Sequence, residues 1–499
     1  MLDDTMSDRP LILAIDQGTS NTKAILVDEG GVVVGGASRR MGIEYPQPGW
    51  VQQDANAIWT AVRDCVDEVL TAAGSPALAG IGVSNQRESG VAWERASGAP
   101  VGPVVTWQCR RSAELCDRLR RAGRAAEIQA RTGLPLDPGF TAGKWRWLLD
   151  QVPDGAARAA AGEILLGTVD SLVLWHLSGG TVHATDVSNA SRTQLMDLDT
   201  QAWDPWLGEA FGLPLAALPE IRPSSTRFGE TVATGALPAG VPVGSLVGDS
   251  HAALFGHAGF QPGAIKATYG TGSSLMMPTP TRVDSDSGLA ATVAWGLAGG
   301  TTYALEGNIN VTGAAVQWLA DFVGLEGPAA VASLAASVPS TEGVYLVPAF
   351  TGLGAPHWDD AARGLVSGLT RGSTLPQLAR AAVDSIAYQV RDVFEAMQAA
   401  SGGVLQVLMV DGGVTRNEQL MRFQADILGV PVQRNDTPEL SAMGAAYLAG
   451  LATGVWASID ELAALPRTID TFEPTMGTAE RARLVHGWQE AVARTTLHP

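Results

Sequence analysis

Apolar residues along this chain come in short runs, each closed by glycine, a small hydroxyl residue or an acid. The first is ILAID, ending at Asp16, followed by the turn QGTSNT and a second run, KAILVD, ending at Asp28. Both runs are too short for helices and are rich in Ile, Leu and Val, so they read as buried strands joined by a tight turn. That turn exposes backbone N–H groups beside Thr19 and Ser20, a concave donor surface of the kind that holds phosphate oxygens, with Asp16 at its lip. A bare carboxylate would repel phosphate, whereas one that holds a divalent cation would attract it. A plain hairpin with a solvated Asp fits the same residues.

After VVVGGASR the period changes. Asp54 precedes Ile58, Val62, Val66 and Val69, apolar at helical spacing as far as Gly74, which predicts a capped helix. LAGIGVSNQRE returns to a strand that releases Asn85, Gln86, Arg87 and Glu88 at its end, and VVTWQCRR repeats that pattern. Polar groups at the carboxyl ends of several strands gather at one sheet edge, where open α/β sheets bind ligands. Near the middle, PVGSLVGDSHAALFG is followed by GAIKATYGTGSSLMM, a second strand, small-residue turn and returning strand. Two such copies predict two lobes of related topology with a ligand between them, divided near residue 255 into 1–254 and 255–499. The second lobe continues with a helix from Gly313 through Gln317 and Leu319 and the apolar strand GVYLVPAF. VLQVLMVDGGVTRN then ends a strand at Asp411 and turns through Gly-Gly into a helix carrying Leu420, Phe423 and Ile427, a third candidate phosphate or nucleotide contact.

Composition narrows the function classes. A chain of 499 residues carries a soft prior of about three domains, and two large lobes fit equally. With 46% hydrophobic and 17% charged residues it reads as a folded globular protein. A net charge of −18 argues against binding nucleic acid or anionic membranes nonspecifically, while leaving room for small anions bound locally. MLDDTMSDRP lacks the basic flank and apolar core of a signal peptide, and no apolar stretch reaches spanning length, so a cytoplasmic enzyme is expected. Cys65, Cys109 and Cys116 are odd in number and lack zinc-type pairing, which predicts buried free thiols.

Together DQGTSNTK, YPQPGWVQQD, SNQRE, TWQCRR, LLGTVDSLVLW, VSNASRT, GDSHAALFG, YGTGSSLMM, VPAFTGLGAPHWDDAARG, GLVSGLTRGSTLPQLARAAVD and VDGGVTRN resemble the FGGY carbohydrate kinases over almost the whole chain, most nearly the glycerol-phosphorylating members. The resemblance implies an α/β fold of two ribonuclease-H-like lobes, shared with hexokinase, actin and the Hsp70 chaperones, with the active site in the cleft between them. It implies ATP and Mg2+ as cofactors and a small polyol or sugar as acceptor, phosphorylated at a terminal hydroxyl. Carried over position by position, Thr19, Ser20, Lys23 and Thr271 contact the nucleotide phosphates, and Gly313, Gln317, Gly413 and Asn417 the rest of the nucleotide. Asp16 and Asp249 lie at the magnesium, and Asp249 is also the catalytic base. Arg87, Glu88 and Trp107 hold the substrate. A homodimer or homotetramer is usual in the family.

Three pocket positions depart from the glycerol-phosphorylating members: Gly139 replaces a tyrosine, Ser250 a glutamine and Ser274 a phenylalanine. The expectation is an enlarged pocket favouring a four- or five-carbon polyol or ketose; the alternative is glycerol itself, with Phe140 or Trp145 refilling the space. The stretch 233–243, ATGALPAGVPV, lacks the Gly-Gly-Thr-Arg loop with which enteric members bind a sugar bisphosphate inhibitor.

Two rival readings remain. GDS at 248–250 follows an apolar strand as in GDSL-type esterases, making Ser250 a nucleophile, but none of His176, His183, His251, His257, His357, His486 or His498 has an Asp three residues before it. His251 and His257 read as packing or surface residues. A non-catalytic ATP clamp would need the phosphate loops alone, without Arg87, Glu88, Trp107 and Asp249.

Overall fold

The first two apolar runs pair antiparallel, β1 (Leu11–Gln17) with β2 (Asn21–Val27), and β3 (Val33–Arg40) continues the meander. The computed structural model describes residues 10–261, 263–284, 288–435, 437 and 439–497; the stretch 1–9 read for a leader and His498 lie outside the described residues. β4 (Leu78–Asn85) runs parallel to β1, β5 (Ser225–Glu230) is an antiparallel edge and β6 (Pro242–Gly248) runs parallel to β4, giving the order β5-β6-β4-β1-β2-β3. One face of this sheet packs on α1 (Ala55–Ala72) and α2 (Val169–Leu177). Asp54 caps α1 as its position implies, accepting from Asn56 N at 2.9 Å.

The same grammar builds a second sheet. β7 (Ala264–Tyr269) and β8 (Ser273–Thr279) form the second hairpin, followed by β9 (Ala290–Leu297), β10 (Gly300–Ile309), β11 (Val407–Asp411), β12 (Val432–Asn435) and β13 (Ile469–Phe472). The order is β9-β10-β8-β7-β11-β12-β13, with β11 and β12 parallel as β4 and β6 are in the first sheet. Its core takes in α4 (Gly313–Val323), α5 (Leu375–Ser401), α6 (Glu418–Leu428) and α8 (Thr478–Thr495).

Two helices join the sheets. α3 (Asp249–Gly256) leaves the end of β6, and α7 (Leu440–Thr453), late in the chain, returns to the first sheet and packs against it and α3. Small residues permit the close approach: a Cβ on Gly444 would lie 1.8 Å from Ala252 O, and one on Gly82 would lie 2.2 Å from Ala445 O. Ser245 Oγ donates to Ala445 O at 2.7 Å, tying β6 to the same helix. The three cysteines are buried free thiols. Among the described residues no single helix is long and apolar enough to cross a membrane.

Candidate active site

Strand register brings the polar ends together. Asp16 pairs with Lys23 across the first hairpin and lies beside Ser84, Gln17 and Gly248 both lie beside Asn85, and on the second sheet Thr268 lies beside Asp411. Beyond Asn85 the SNQRES turn is fixed from below: Asn85 and Asn189 exchange amide hydrogen bonds at 3.0 Å, and Gln86 Nε2 donates to Gln17 at 3.0 Å and Gln53 at 2.8 Å. Glu88 stands at φ 59, a left-handed conformation that costs about 1–3 kcal/mol in a residue with a side chain and persists only where its surroundings impose it. Thr141 Oγ1 donates to the Glu88 carbonyl at 3.1 Å, and Arg192 Nε to its carboxylate at 2.6 Å.

Arg87 is the centre of a buried cluster of charged side chains. Its Nε donates to Asp249 Oδ1 at 3.0 Å, Nη2 to Ser250 Oγ at 3.1 Å and Nη1 to Glu306 Oε1 at 2.7 Å. Burial opposes its charge, but Glu306, Glu88 and Asp249 outweigh that and hold it firmly protonated. Ser274 Oγ donates to Glu306 Oε1 at 3.0 Å. Trp107 is 45% exposed, its indole N–H donating to Thr19 Oγ1 at 2.9 Å. Gly139 donates to Asp137 Oδ1 at 2.7 Å, and a Cβ there would lie 2.9 Å from that oxygen. Of the two side chains expected to refill the pocket, Trp145 is fully buried and donates to Gly167 O at 3.0 Å, while the Phe140 ring lies 5.1 Å from the Arg192 guanidinium.

A cavity of about 670 Å³ opens beside this cluster, between the ends of the two sheets, and Asp16, Lys23, Asp249, Ser250, Asp411 and Gly413 are among the residues that line it. Lys23 pairs with Glu439, which also has a left-handed backbone, at φ 63. Ser20 is exposed at the first turn, its carbonyl accepting from Met41 N at 2.8 Å. Thr271, exposed in the second turn, accepts from Thr312 N at 3.0 Å and Ala314 N at 3.1 Å, which docks that turn on the start of α4. Gly313 opens α4 at a point where a Cβ would lie 2.5 Å from Gly270 O and 3.1 Å from Val414. Gly413 and Asn417 therefore lie near it, although the Gly-Gly turn first forms a short 3-10 segment, Gly413–Arg416, and the Asn417 side chain caps α6. Gln317 is exposed on α4 and hydrogen-bonds Asp321 at 2.8 Å. Thr19, Ser20, Thr271, Gly313, Gln317 and Asn417 do not line the cavity itself.

The electrostatics fit a divalent cation. Burial, and then repulsion from Asp249, push the Asp16 carboxyl up to about 7 despite a 2.9 Å hydrogen bond from Ser84. Burial also raises Asp249, against the pull of Arg87. Such an under-compensated carboxylate pair is what a magnesium ion bound by one or two carboxylates and phosphate oxygens would neutralise. Among the described residues no group of three or more His, Cys, Asp and Glu side chains converges as a metal site.

Residues 11–256 match the FGGY family of carbohydrate kinases, N-terminal domain, and residues 265–453 match its C-terminal domain. The chain belongs to the FGGY family of carbohydrate kinases. This FGGY kinase is 47% identical over 487 residues to the glycerol kinase of Carboxydothermus hydrogenoformans, covering 97% of both chains. It is 46% identical over 488 residues to glycerol kinase 2 of Thermotoga maritima, covering 97% of this chain and 98% of that one. Plasmodium falciparum glycerol kinase with ADP superposes with a TM-score of 0.94 at 30% identity, covering 99% of this chain and 100% of that one. The FGGY kinase is accordingly a two-domain α/β phosphotransferase with an alcohol acceptor, which removes the esterase and clamp readings.

Several residues of this FGGY kinase's site escaped the sequence. Glu306 and Arg192 are buried in the Arg87 cluster, the fully buried Lys266 donates to Thr268 Oγ1 at 2.7 Å, and His257, read as a packing or surface residue, is a buried one that meets Asp411 at 2.9 Å. His251 is fully buried and held neutral by burial and then by Arg87. The available signal was an acid or base interrupting an apolar strand, as in YALEG and AIKATY.

Proposed function

We propose that this kinase transfers the γ-phosphoryl group of ATP to a terminal hydroxyl of glycerol. The observation that carries the reading is Asp249, a carboxylate at the cavity wall held by Arg87, in a chain similar to glycerol kinases from end to end. Phosphoryl transfer depends on positioning and charge stabilisation more than on covalent work by the protein. Arg87 and Glu88 bind acceptor hydroxyls and the Trp107 ring lies against the carbon chain. Asp249 accepts the proton of the terminal hydroxyl as its oxygen attacks phosphorus, and ADP leaves.

Thr19, Ser20 and Lys23 hold phosphate oxygens on one side and Thr271 on the other, Lys23 exchanging Glu439 for phosphate. Gly313, Gln317, Gly413 and Asn417 take the rest of the nucleotide. Asp16, with Asp249 beside it, would hold Mg2+, which when bound neutralises charge on the phosphates.

A second reading, a four- or five-carbon polyol or ketose, is favoured by the absence of aromatic side chains at Gly139 and Ser274. Against it, the Ser250 hydroxyl accepts from Arg87 and the Ser274 hydroxyl donates to Glu306, so neither is idle and waiting for an extra substrate oxygen. ATP consumption measured with glycerol, erythritol, threitol, pentitols, tetruloses and pentuloses decides between them. Glycerol should give the highest kcat/KM; a higher value for a longer acceptor would install the second reading.

A further inference from the structure

Five charged side chains of the acceptor cluster alternate in sign along Asp249, Arg87, Glu306, Arg192 and Glu88, and Glu88 is drawn back toward Arg87 by a longer contact, 4.0 Å, between Arg87 Nη1 and Glu88 Oε1. Glu306 is the midpoint of the series. It lies on β10 of the second sheet with 0% of its side chain exposed, and is not among the residues lining the cavity. Oε1 accepts from Arg87 at 2.7 Å and from Ser274 at 3.0 Å, while Oε2 lies 2.8 Å from Nη1 of Arg192, a charge contact without hydrogen-bond alignment. Arg192 is 2% exposed. Each arginine then uses its Nε on a different carboxylate, Arg87 on Asp249 at 3.0 Å and Arg192 on Glu88 at 2.6 Å.

We propose that Glu306 is the positioning residue of the acceptor site, fixing Arg87 through one oxygen and Arg192 through the other, and through them Asp249 and Glu88. With Glu306 ionised, two guanidinium groups are shared among three carboxylates, and neither Glu88 nor Asp249 is neutralised outright. Without it, two buried cations face only those two, and each arginine collapses onto the carboxylate that must meet the substrate. A buried charge stripped of its partner takes the nearest replacement, because leaving it unpaired in a low-dielectric site costs several kcal/mol. Because Glu306 belongs to the second sheet and its four dependants to the chain before residue 250, acceptor geometry also requires the two sheets to stay docked.

The proposal rests on Arg87, Glu88 and Asp249 being the acceptor-binding groups, and acceptor-dependent ATP consumption by the wild type tests that reading separately. Glu306→Gln keeps shape and removes charge. It should raise KM for the preferred polyol at least tenfold and leave KM for ATP within about threefold. Glu306→Asp, which restores charge at shorter reach, should recover part of the loss. A polyol KM within twofold of wild type in Glu306→Gln, or an equal rise in both KM values, overturns the proposal. If that variant does not fold, Arg192→Lys serves, since it keeps the positive charge but cannot span Glu306 and Glu88 with a planar fork. It should show the same selective rise in polyol KM, and an unchanged polyol KM overturns the proposal equally.

Discussion

Replacing Asp249 by Asn should leave nucleotide binding close to wild type while lowering kcat by roughly 10²-fold or more, the scale of a lost proton acceptor. Stopped-time assays paired with calorimetric ADP titration would measure both, and a kcat within a few-fold of wild type would remove Asp249 from the mechanism. Asp16→Ala should act differently, raising the magnesium concentration needed for half-maximal rate; an unchanged magnesium titration contradicts that role. A third residue makes a pH prediction. Asp170 is fully buried, and burial and then Asp186 push its carboxyl from 3.8 up to about 7, although Thr185 donates to it at 2.6 Å. A folded-state pKa above the unfolded one gives stability that is fully present below about pH 4 and is lost as pH rises through about 7. Asp170→Asn removes that titration, so its melting temperature should fall less than the wild type's between pH 4 and 8; parallel curves would refute it. Charged groups at strand ends were legible in the sequence because the alternation stops where they begin. Glu306 was not, because it sits inside an apolar strand and its partner Arg87 is 219 positions away.

Among the elements, α1 and the two hairpins were readable because their periods and caps are local. α7 was not assignable to a sheet: it is buried along most of its length, so no polar face marks which side meets which neighbour. Its placement is set by backbone contact with α3, whose first residue is Asp249, and Ser441 Oγ donates to the Asp249 carbonyl at 3.1 Å. Gly444→Ala, with its Cβ directed at Ala252 O, should force the two helices apart and cost about 1–3 kcal/mol in urea unfolding, with kcat falling as well. Wild-type stability in that variant would mean that the contact yields without strain.

For the whole molecule, the two-lobe plan was visible as a repeated strand-turn-strand, and the family resemblance supplied what periodicity could not, the chemistry of each turn. The segment 233–243 leads into β6 through a tight turn in which Thr234 and Leu237 exchange backbone hydrogen bonds at 3.0 Å and Ala236 N donates to Asp67 at 2.7 Å. It offers no Gly-Gly-Thr-Arg loop, so the kinase should be insensitive to fructose 1,6-bisphosphate at concentrations that inhibit enteric relatives; dose-dependent inhibition would show a different regulatory surface. The return of α7 to the first sheet has a consequence for biosynthesis. Ala14, Val27 and Val247 share one buried cluster with residues 442–449, so that face of the first sheet is completed only once those residues have been made. On the ribosome the first sheet therefore waits, one apolar face open, while about two hundred further residues are added, roughly 10–40 s at ordinary elongation rates. Residues 1–254 expressed alone should aggregate and should be recovered in soluble form by co-expressing residues 255–499, so that the nascent chain needs sheltering until its own C-terminal half arrives.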